Sequence, residues 1–453
     1  MSRRAHSTSP PRNAKRAKIE HLTSNDFKNG VFLAPMVRSG ALPTRLFALR
    51  HGATLVWGPE TVDKAILHAT RNVDRVYYLS TLHNSFLKVL SAVTGVITYD
   101  GKSKAIFSTH PIEKPYLIYQ IGSSDPEYAV KAAQTVMDDV SGIDLNCGCP
   151  KPFSTHAGMG AALLTNPDLL CSILTALRAA MPPEITVSAK IRLLPSQEET
   201  LKLVERIVNT GVSALTVHCR TRNMRDRDAA LIQRLKEIVD FVEGLGKGIA
   251  VIENGDCLGA EDAKRVREVT GPSAFSAVED LNRGFFASGA HSVMIARAAE
   301  ANPSCFSNTP LTDVEETLVP DYLRLSRYLN SHWSVTKFCI SQFKGHHVNY
   351  TKKQEHALRE GIVKSRSFDE VEHVVGSWTG EQVFRDIAAA IEARPPRRIE
   401  YEEETDGGVT PHGTQNPEPP TLNAPFLTEF TRTALPALIS GRDPLTPTPG
   451  VTS

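Results

Sequence analysis

This sequence indicates an α/β protein: an eight-stranded parallel β/α (TIM) barrel followed by a small all-helical domain, with disordered termini. Short apolar runs alternate with helical patterns up to Pro303, polar residues follow most of these runs, and only helical periodicity remains afterwards. We therefore expect a barrel domain at 26–310 and a helical domain at 316–393. We expect a disordered basic arm at 1–25 and a mostly disordered tail at 394–453.

Eight apolar runs have the length of buried strands. They are VFLAPM (31–36), TLVWGPE (54–60), YLIYQIG (116–122), GIDLNCG (142–148), TVSAKIR (186–192), ALTVHCR (214–220), AVIENGD (250–256) and SVMIAR (292–297). Helix-like segments such as 125–139, 166–181 and 197–211 lie between them. This alternation favours a parallel sheet closed into a barrel. An open doubly wound sheet is the alternative, although no GxGxxG motif follows the first strand.

One segment interrupts the alternation before the third barrel strand. VITYDGKSKAIF (96–107) has two β-type runs around an Asp-Gly pair, which is typical of a tight hairpin turn. We expect an inserted hairpin at this point of the chain.

The region after Pro303 is basic as well as helical. Between Asp321 and Arg366 there are nine Lys or Arg residues and three acidic ones. Aromatic residues are interleaved with them, namely Tyr322, Tyr328, Trp333, Phe338, Phe343 and Tyr350. Basic residues with aromatics suit a nucleic-acid surface. The alternative is that the aromatics form the core of a helical bundle and the charges only solvate it.

Composition excludes several classes of protein. There is no run of about 18 apolar residues and no apolar signal core, so we expect neither a membrane span nor secretion. The seven cysteines form no CxxC pair, which disfavours disulfides and a metal site and indicates a reducing compartment. We expect a monomer in the cytoplasm, or in the nucleus if the basic cluster at 12–18 is a nuclear address. A phosphate contact and a merely solvated arm are the alternatives for that cluster.

Polar residues follow six of the predicted strands at their carboxyl ends, where barrel enzymes carry their chemistry. These residues are Gln120, Asn146 to Pro150, Lys190 and Arg192, His218 and Arg220, Asn254 to Asp256, and Ala296 and Arg297. A single polar residue at a strand end is usually a solvated cap, but six strands that end in this way predict a site. Gly255 allows close approach of the backbone, and a helix N-terminus after the eighth strand favours an anion, with Arg297 as a bidentate phosphate partner. A phosphate is expected there, with Lys190 and Gln120 at the polar edge of a planar ring such as a flavin; a sugar phosphate would fit the same residues.

The ordered motifs resemble those of the tRNA-dihydrouridine synthases. They are APM (34–36), QIGSSDP (120–126), NCGCPKPFSTHAGMGAALL (146–164), KIR (190–192), HCRTR (218–222), NGD (254–256) and ARAAEANPSCF (296–306). The resemblance runs from about Val31 to Phe306 and more loosely through the helical region. APMVRSGALPTRL and GCPKPFSTHAGMGAALL are most similar to the eukaryotic type 2 enzymes, which reduce the uridine at position 20.

The resemblance implies an FMN-dependent reduction of uridine to 5,6-dihydrouridine in tRNA, with NADPH as the electron donor. It implies that FMN is bound by Pro35, Met36, Val37, Gln120, Lys190, His218, Asn254, Gly255, Asp256, Ala296 and Arg297. We expect the substrate to contact Glu60, Asn146, Arg192 and Arg220 at the barrel mouth, and Lys344, Lys352 and Lys353 in the helical domain. Contact with a neighbouring loop is the alternative for Glu60. The alternative is an FMN barrel oxidoreductase that acts on a small molecule.

Cys149 matches the catalytic cysteine of the family. Reduction of a uridine requires a hydride at carbon 6 and a proton at carbon 5, and a thiol that stays protonated at neutral pH can provide the proton. A buried packing role is the alternative for Cys149, and it is the role that we predict for Cys147, two residues earlier.

Two features depart from the type 2 pattern. His156-Ala157-Gly158 stands where these enzymes commonly have Lys-Gly-Gly, so the loop after Cys149 is expected to grip RNA differently. Animal type 2 enzymes end in a double-stranded-RNA-binding domain, and the sequence after Arg394 lacks its hydrophobic pattern. RNA binding is therefore expected to come from the helical domain and the basic arm.

Overall fold

The computed structural model describes residues 21–80, 88–271, 289–345, 351–375 and 380–395. Its strands, in chain order, are β1 Val31–Leu33, β2 Val56–Trp57, β3 Thr61–Val62, β4 Thr70–Ser80, β5 Lys88–Asp100, β6 Ala105–Thr109, β7 Leu117–Gly122, β8 Gly142–Cys147, β9 Thr186–Leu193, β10 Ala214–Thr221, β11 Ala250–Asn254 and β12 Ser292–Ile295.

Eight of these strands form a closed parallel barrel. The order is β1, β2, β7, β8, β9, β10, β11 and β12, and β12 returns to pair with β1. All eight are the strands that the apolar runs predict, so the barrel is confirmed and the open sheet is wrong. The short β3 extends β7 beyond its contact with β2.

Helices follow the strands. They are α1 Leu42–Arg50, α2 Asp63–Leu67, α3 Pro126–Val136, α4 Pro152–Thr155, α5 Pro167–Ala180, α6 Gln197–Val208, α7 Gln233–Gly244, α8 Ala260–Thr270, α9 Arg297–Ala301, α10 Val319–Tyr328, α11 Trp333–Gln342, α12 Lys352–Lys364, α13 Glu372–Val375 and α14 Gly380–Glu392. Local sequence explains where several begin. Asp125 caps the two backbone amides at the start of α3, with Pro126 in the first turn, and Ser196 forms a capping box with Glu199 at the start of α6. Every helix within the described ranges is too short or too polar to span a bilayer.

The barrel interior is apolar at the amino ends of its strands. Phe32 and Trp57 pack there with ring centroids 5.5 Å apart, in a buried cluster that includes Ile118, Ile252 and Met294. Side chains two residues apart share a face of a strand. On each strand, the residue two positions after such an apolar residue therefore also points into the barrel. Some of these later residues are polar, and they lie at the carboxyl end of the interior.

The predicted insertion before β7 is larger than one hairpin. β5 and β6 form the expected antiparallel hairpin, with the turn closed by a hydrogen bond from Gly101 N to Lys104 O. β4 pairs along the other edge of β5 to make a three-stranded sheet. The sequence analysis missed β4 because its charged residues interrupt the apolar pattern.

The aromatic residues of the C-terminal helical region form a packed core. Tyr322 is fully buried, stacks on Phe47 of α1 at 5.8 Å and hydrogen bonds to Thr44 at 2.8 Å. Phe343 is also buried against Tyr322. Of the two alternatives for these aromatics, core packing is confirmed for Tyr322 and Phe343, whereas Tyr350 lies outside the described residues. A domain division at 310–316 stays a prediction.

The predicted termini fall mostly outside the described residues. The last part of the predicted arm has structure, since Leu22 is buried and Ser24–Phe27 form a short 3-10 helix. At the other end, Arg394 donates hydrogen bonds to the carbonyls of Leu49 and Ala53. Residues 21–25 and Arg394, which the sequence assigned to the arm and the tail, therefore have defined structure.

Candidate active site

The strand register brings the predicted polar residues to the carboxyl end of the barrel interior. Residues that lie directly opposite each other on neighbouring strands are Gln120 and Asp144, Asn146 and Lys190, and His218 and Asn254. The closed barrel therefore brings residues from five strands around one mouth. The grouping that the sequence predicted is present in the structure.

Asp144 lies at the base of this mouth and was missed by the sequence analysis. Its carboxylate accepts hydrogen bonds from Gln120 Nε2 at 2.8 Å and from Ser188 Oγ at 2.6 Å. Burial raises its pKa, against the effect of these bonds. The signal that could have identified it is the alternation along β8, which places Asp144 on the same face as Asn146.

Lys190 and Asn254 form the next layer. Lys190 Nζ donates to Asn254 Oδ1 at 2.8 Å, and Asn254 Nδ2 donates to the carbonyl of Met294 at 2.8 Å. Burial, and then the charge of Arg192, lower the pKa of Lys190 to about 8. The asparagine therefore orients a lysine whose charge changes near physiological pH.

Two arginines share one carboxylate near the ends of β10, β11 and β12. Arg220 Nη2 donates to both Asp256 oxygens, at 2.6 and 2.7 Å, and Arg297 Nη2 donates to Asp256 Oδ1. Burial opposes ionisation of Asp256, but the hydrogen bonds from Arg220 and Ala230 N outweigh it and lower the pKa. Arg297 keeps about half of its side chain exposed, at 52%. Its guanidinium can therefore serve Asp256 and a solvent-side anion together.

Gly255 is required by close packing beside this cluster. A Cβ at Gly255 would lie 2.8 Å from the Cβ of Ala230. The next residue, Asp256, has a φ of +57°, a left-handed conformation that aspartate tolerates better than most residues. The backbone after β11 therefore turns sharply, and the Asp256 carboxylate faces the two arginines.

His218 lies among cations. Burial, followed by the charges of Lys190, Arg192, Arg220 and Arg297, lowers its pKa to about 2. Arg220 Nη1 lies 3.4 Å from His218 Nε2. The imidazole is therefore neutral at physiological pH and can donate or accept a hydrogen bond without adding charge. The excess of positive charge around it suits an anionic ligand.

Cys149 lies in the loop after β8, half-buried, and this loop is held by backbone contacts. Asn146 Oδ1 accepts from the amides of Gly148 at 2.9 Å and Cys149 at 3.1 Å, and the carbonyl of Cys149 accepts from Ala161 N at 2.9 Å. Gly160 has a φ of +58°, and a Cβ there would lie 2.6 Å from the Cys149 carbonyl oxygen. The chain at position 160 therefore passes too close to Cys149 to carry a side chain, which explains the glycine at this distance from the cysteine in the motif.

Glu60 is the acidic neighbour of Cys149. It follows β2, its Oε1 lies 3.4 Å from Ser154 Oγ, and the side chains of Asn146 and Cys149 also interact with its carboxyl group. Burial raises the pKa of Glu60. Burial and then the Glu60 charge raise the pKa of Cys149. The thiol therefore stays protonated at neutral pH.

Residues 32–392 match the profile of the dihydrouridine synthase (Dus) family. This chain belongs to that family. The tRNA-dihydrouridine(20) synthase (NAD(P)+) of Schizosaccharomyces pombe is 45% identical over 320 residues, 70% of this chain and 60% of the relative. The enzyme of the same name in Saccharomyces cerevisiae is 38% identical, over 68% of this chain and 76% of the relative. The tRNA-dihydrouridine(20a/20b) synthase (NAD(P)+) of S. cerevisiae is 32% identical, over 44% of this chain and 49% of the relative.

The remaining predicted residues of this dihydrouridine synthase family member surround the mouth. Pro35 and Met36 are half-buried at the end of β1, whereas Val37 is 53% exposed. Ala296 precedes α9 and packs against the interior cluster. Arg192 Nε donates to the Gly148 carbonyl at 2.8 Å, so it supports the cysteine loop from β9.

The predicted RNA contacts in the helical region lie on other elements than the polar residues at the barrel mouth. Lys344 is exposed, and its backbone amide donates to Ala301 at the end of α9. Lys353 is exposed on α12, and the side chain of Lys352 lies outside what the structure describes. Lys344 is therefore near the rim of the barrel, and a role for Lys352 and Lys353 stays a prediction. Among the described residues, no group of three or more His, Cys, Asp or Glu side chains is placed to hold a metal ion.

Proposed function

We propose that this protein reduces a uridine of tRNA to 5,6-dihydrouridine, at position 20, with FMN as cofactor and NADPH as electron donor. The observation that carries the proposal is the half-buried Cys149 thiol at the mouth of a barrel of this family, with a pKa that burial raises. The position-20 assignment is supported by the names of the two relatives at 45% and 38% identity.

The donor set at the mouth fits a flavin phosphate. Arg220 and Arg297 carry two positive charges against the single charge of Asp256, which leaves a surplus for a phosphate. The Asp256 carboxylate is already bonded to the arginines, so Asn254, Gly255 and Asp256 would serve a phosphate through their backbone amides. Gln120, Lys190 and His218 would hold the polar edge of the ring, over Pro35, Met36, Val37 and Ala296. When bound, FMN supplies the hydride for carbon 6 of the base, and NADPH then reduces the flavin again.

Cys149 would donate the proton to carbon 5 of the base. Its pKa lies above the ordinary value, so the acid is present at neutral pH, and Asn146 Oδ1 accepts two backbone hydrogen bonds from the loop that carries it. Asn146, Arg192 and Arg220 are at the same mouth and would orient the base. The base must leave its stack to reach this position, so we expect binding of an extruded or unpaired uridine.

A direct assay tests this function. The full chain, loaded with FMN, is incubated with NADPH and an unmodified tRNA transcript, and dihydrouridine is measured by mass spectrometry of nuclease digests. We expect one dihydrouridine per tRNA, and none when position 20 is replaced by cytidine. Flavin reduction by NADPH without any dihydrouridine would instead favour the small-molecule oxidoreductase. A protein that binds no flavin would contradict both functions.

A further inference from the structure

Glu60 and Cys149 are neighbours at the barrel mouth, although 89 positions separate them in the chain. Glu60 follows β2, whereas Cys149 follows β8, and β7 lies between these strands in the barrel. Ser154 Oγ donates to Glu60 Oε1 at 3.4 Å, and the side chains of Cys149 and Asn146 interact with the same carboxyl group. The thiol is therefore one of three polar side chains that surround the Glu60 carboxyl group.

Two glycines make room for this arrangement. A Cβ at Gly122, at the end of β7, would lie 2.6 Å from Glu60 Oε1. A Cβ at Gly160 would lie 2.4 Å from Ser154 Oγ and 3.1 Å from the Cβ of Cys149. A side chain at either position would push the carboxyl group or the hydroxyl away from the thiol. The backbone is thus shaped to let Glu60 reach Cys149.

We propose that Glu60 is a positioning residue for Cys149: it accepts the S–H hydrogen bond, aims the thiol and holds it in the protonated form. This proposal rests on the proposed function in one respect, namely that the thiol donates the proton to carbon 5 of the base. The thiol itself can be studied without tRNA or flavin. Of the two alternatives that the sequence left for Glu60, the substrate and a neighbouring loop, this proposal takes the loop.

The charges around the thiol determine the sign of the effect. A nearby carboxylate disfavours a thiolate, since both carry negative charge. Arg192 of β9 donates to the Gly148 carbonyl next to Cys149, and its cation favours the thiolate. The backbone amide of Lys151 and the Ser154 hydroxyl favour it as well. Glu60 is therefore the group that opposes Arg192, and removing its charge leaves the thiolate-stabilising groups in place.

The test is the pH dependence of Cys149 alkylation in the full chain. Iodoacetamide reacts with the thiolate, so the rate at the peptide containing Cys149, followed by mass spectrometry, titrates this thiol. In Glu60→Gln the amide oxygen remains an acceptor but the charge is lost. We expect the alkylation midpoint to fall by about one pH unit, which gives about tenfold faster labelling below the midpoint. An unchanged or higher midpoint in Glu60→Gln overturns the proposal.

Matched variants separate charge from shape. Glu60→Asp keeps the charge and should restore a midpoint closer to that of the natural protein. Ser154→Ala removes a neighbour of the same thiol but keeps Glu60, so its midpoint should not fall. If Ser154→Ala lowers the midpoint as much as Glu60→Gln does, loosening of the loop explains both results and the proposal is wrong.

A second readout connects the thiol to turnover. The alkaline limb of the pH profile for dihydrouridine formation should move to lower pH in Glu60→Gln, in parallel with the alkylation midpoint. A natural protein that forms no dihydrouridine would contradict the proposed function but leave the alkylation result standing. A shifted alkylation midpoint with an unshifted alkaline limb would show that Glu60 does not control the acid used in turnover.

Discussion

Two cysteines separated by a single glycine have opposite environments. Cys147 ends β8 with a fully buried side chain that donates to the Leu145 carbonyl, and its pKa is well above the ordinary value because of burial. Cys149 is half-buried in the loop beyond, next to Glu60. The alternation along a strand turns one side chain outward into the packing, and the loop brings the other to the mouth.

Replacing Cys149 by Ala should separate the two half-reactions. Dihydrouridine formation should fall by about a hundred- to ten-thousand-fold, since general acid catalysis contributes that much. Reduction of the flavin by NADPH needs no proton from this loop and should continue. Stopped-flow reoxidation of the reduced flavin by unmodified tRNA measures the difference. Cys147→Ala is the matched control and should keep reoxidation near the natural rate; the reverse pattern would mean that the acid is assigned to the wrong cysteine.

Lys190 predicts a pH dependence of flavin binding. Its pKa in the ligand-free protein is about 8, and a hydrogen bond to an acceptor at the polar edge of the flavin ring would raise it, since the charged form is then favoured. Affinity for FMN should therefore be constant below pH 8 and fall above it, by up to about tenfold per pH unit, until the pKa of the bound state is passed. Isothermal titration with FMN from pH 6.5 to 9.5 measures this. In Lys190→Met the decline should disappear, and a decline that persists would assign it to another group.

At the residue scale, the sequence predicted which side chains point into the barrel mouth but not all the contacts between them. The strand-end pattern identified Gln120, Lys190 and Asn254, because inward residues two positions apart follow from alternation alone. The contact between Glu60 and Cys149 could not be read from the sequence, since it depends on how far the chain turns after β2 and on the space left by Gly122.

Among the elements, α1 connects the barrel to its insertion through a buried ion pair. Arg45 Nε and Nη2 donate to the two oxygens of Glu113, at 2.9 and 2.7 Å, with both side chains almost fully buried. Thr109 of β6 donates to the same carboxylate at 2.8 Å. Each charge is paired and hydrogen-bonded, which is the condition under which burial of an ion pair is tolerated.

Breaking this pair from one side should destabilise the fold. Arg45→Met leaves the Glu113 carboxylate buried without its cation, which typically costs about 3–5 kcal/mol. Urea denaturation, followed by tryptophan fluorescence and circular dichroism, measures the free energy of unfolding. Arg206→Met removes an exposed ion pair with Asp168 and should leave the midpoint almost unchanged. Equal effects of the two variants would mean that the buried pair makes no special contribution.

Element prediction succeeded for the barrel and was incomplete for its insertion. The eight barrel strands are buried on both faces and appear as apolar runs, which the sequence displays directly. β4 lies in an antiparallel sheet and carries charged residues, so its strand character depends on pairing with β5. Capped helices such as α3 and α6 were readable because proline or a capping box marks their first turn.

For the whole molecule, the helical region packs on α1 while its lysines stay exposed. Tyr322 occupies the contact with Phe47, and Lys344 follows α11 beside the end of α9. The sequence left two alternatives open: the basic residues and the aromatics form an RNA surface, or the aromatics form a core and the charges only solvate it. Tyr322 and Phe343 are packed in the core, so the exposed lysines are the part of the predicted RNA surface that charge reversal can test.

Reversing three of these charges should weaken tRNA binding in a salt-dependent way. In Lys344→Glu, Lys352→Glu, Lys353→Glu, each lost phosphate contact should reduce the slope of log affinity against log salt by about one unit. Filter binding between 50 and 300 mM salt measures both affinity and slope. Lys131→Glu, Lys202→Glu is the control, because these lysines are exposed on α3 and α6 of the outer ring, away from the helical region. If both variants lose affinity equally, the effect is one of net charge and no local surface is involved; if neither does, the grip on tRNA lies outside these lysines. A lower slope in the triple variant alone would assign the electrostatic contact with tRNA to the helical region that packs on α1.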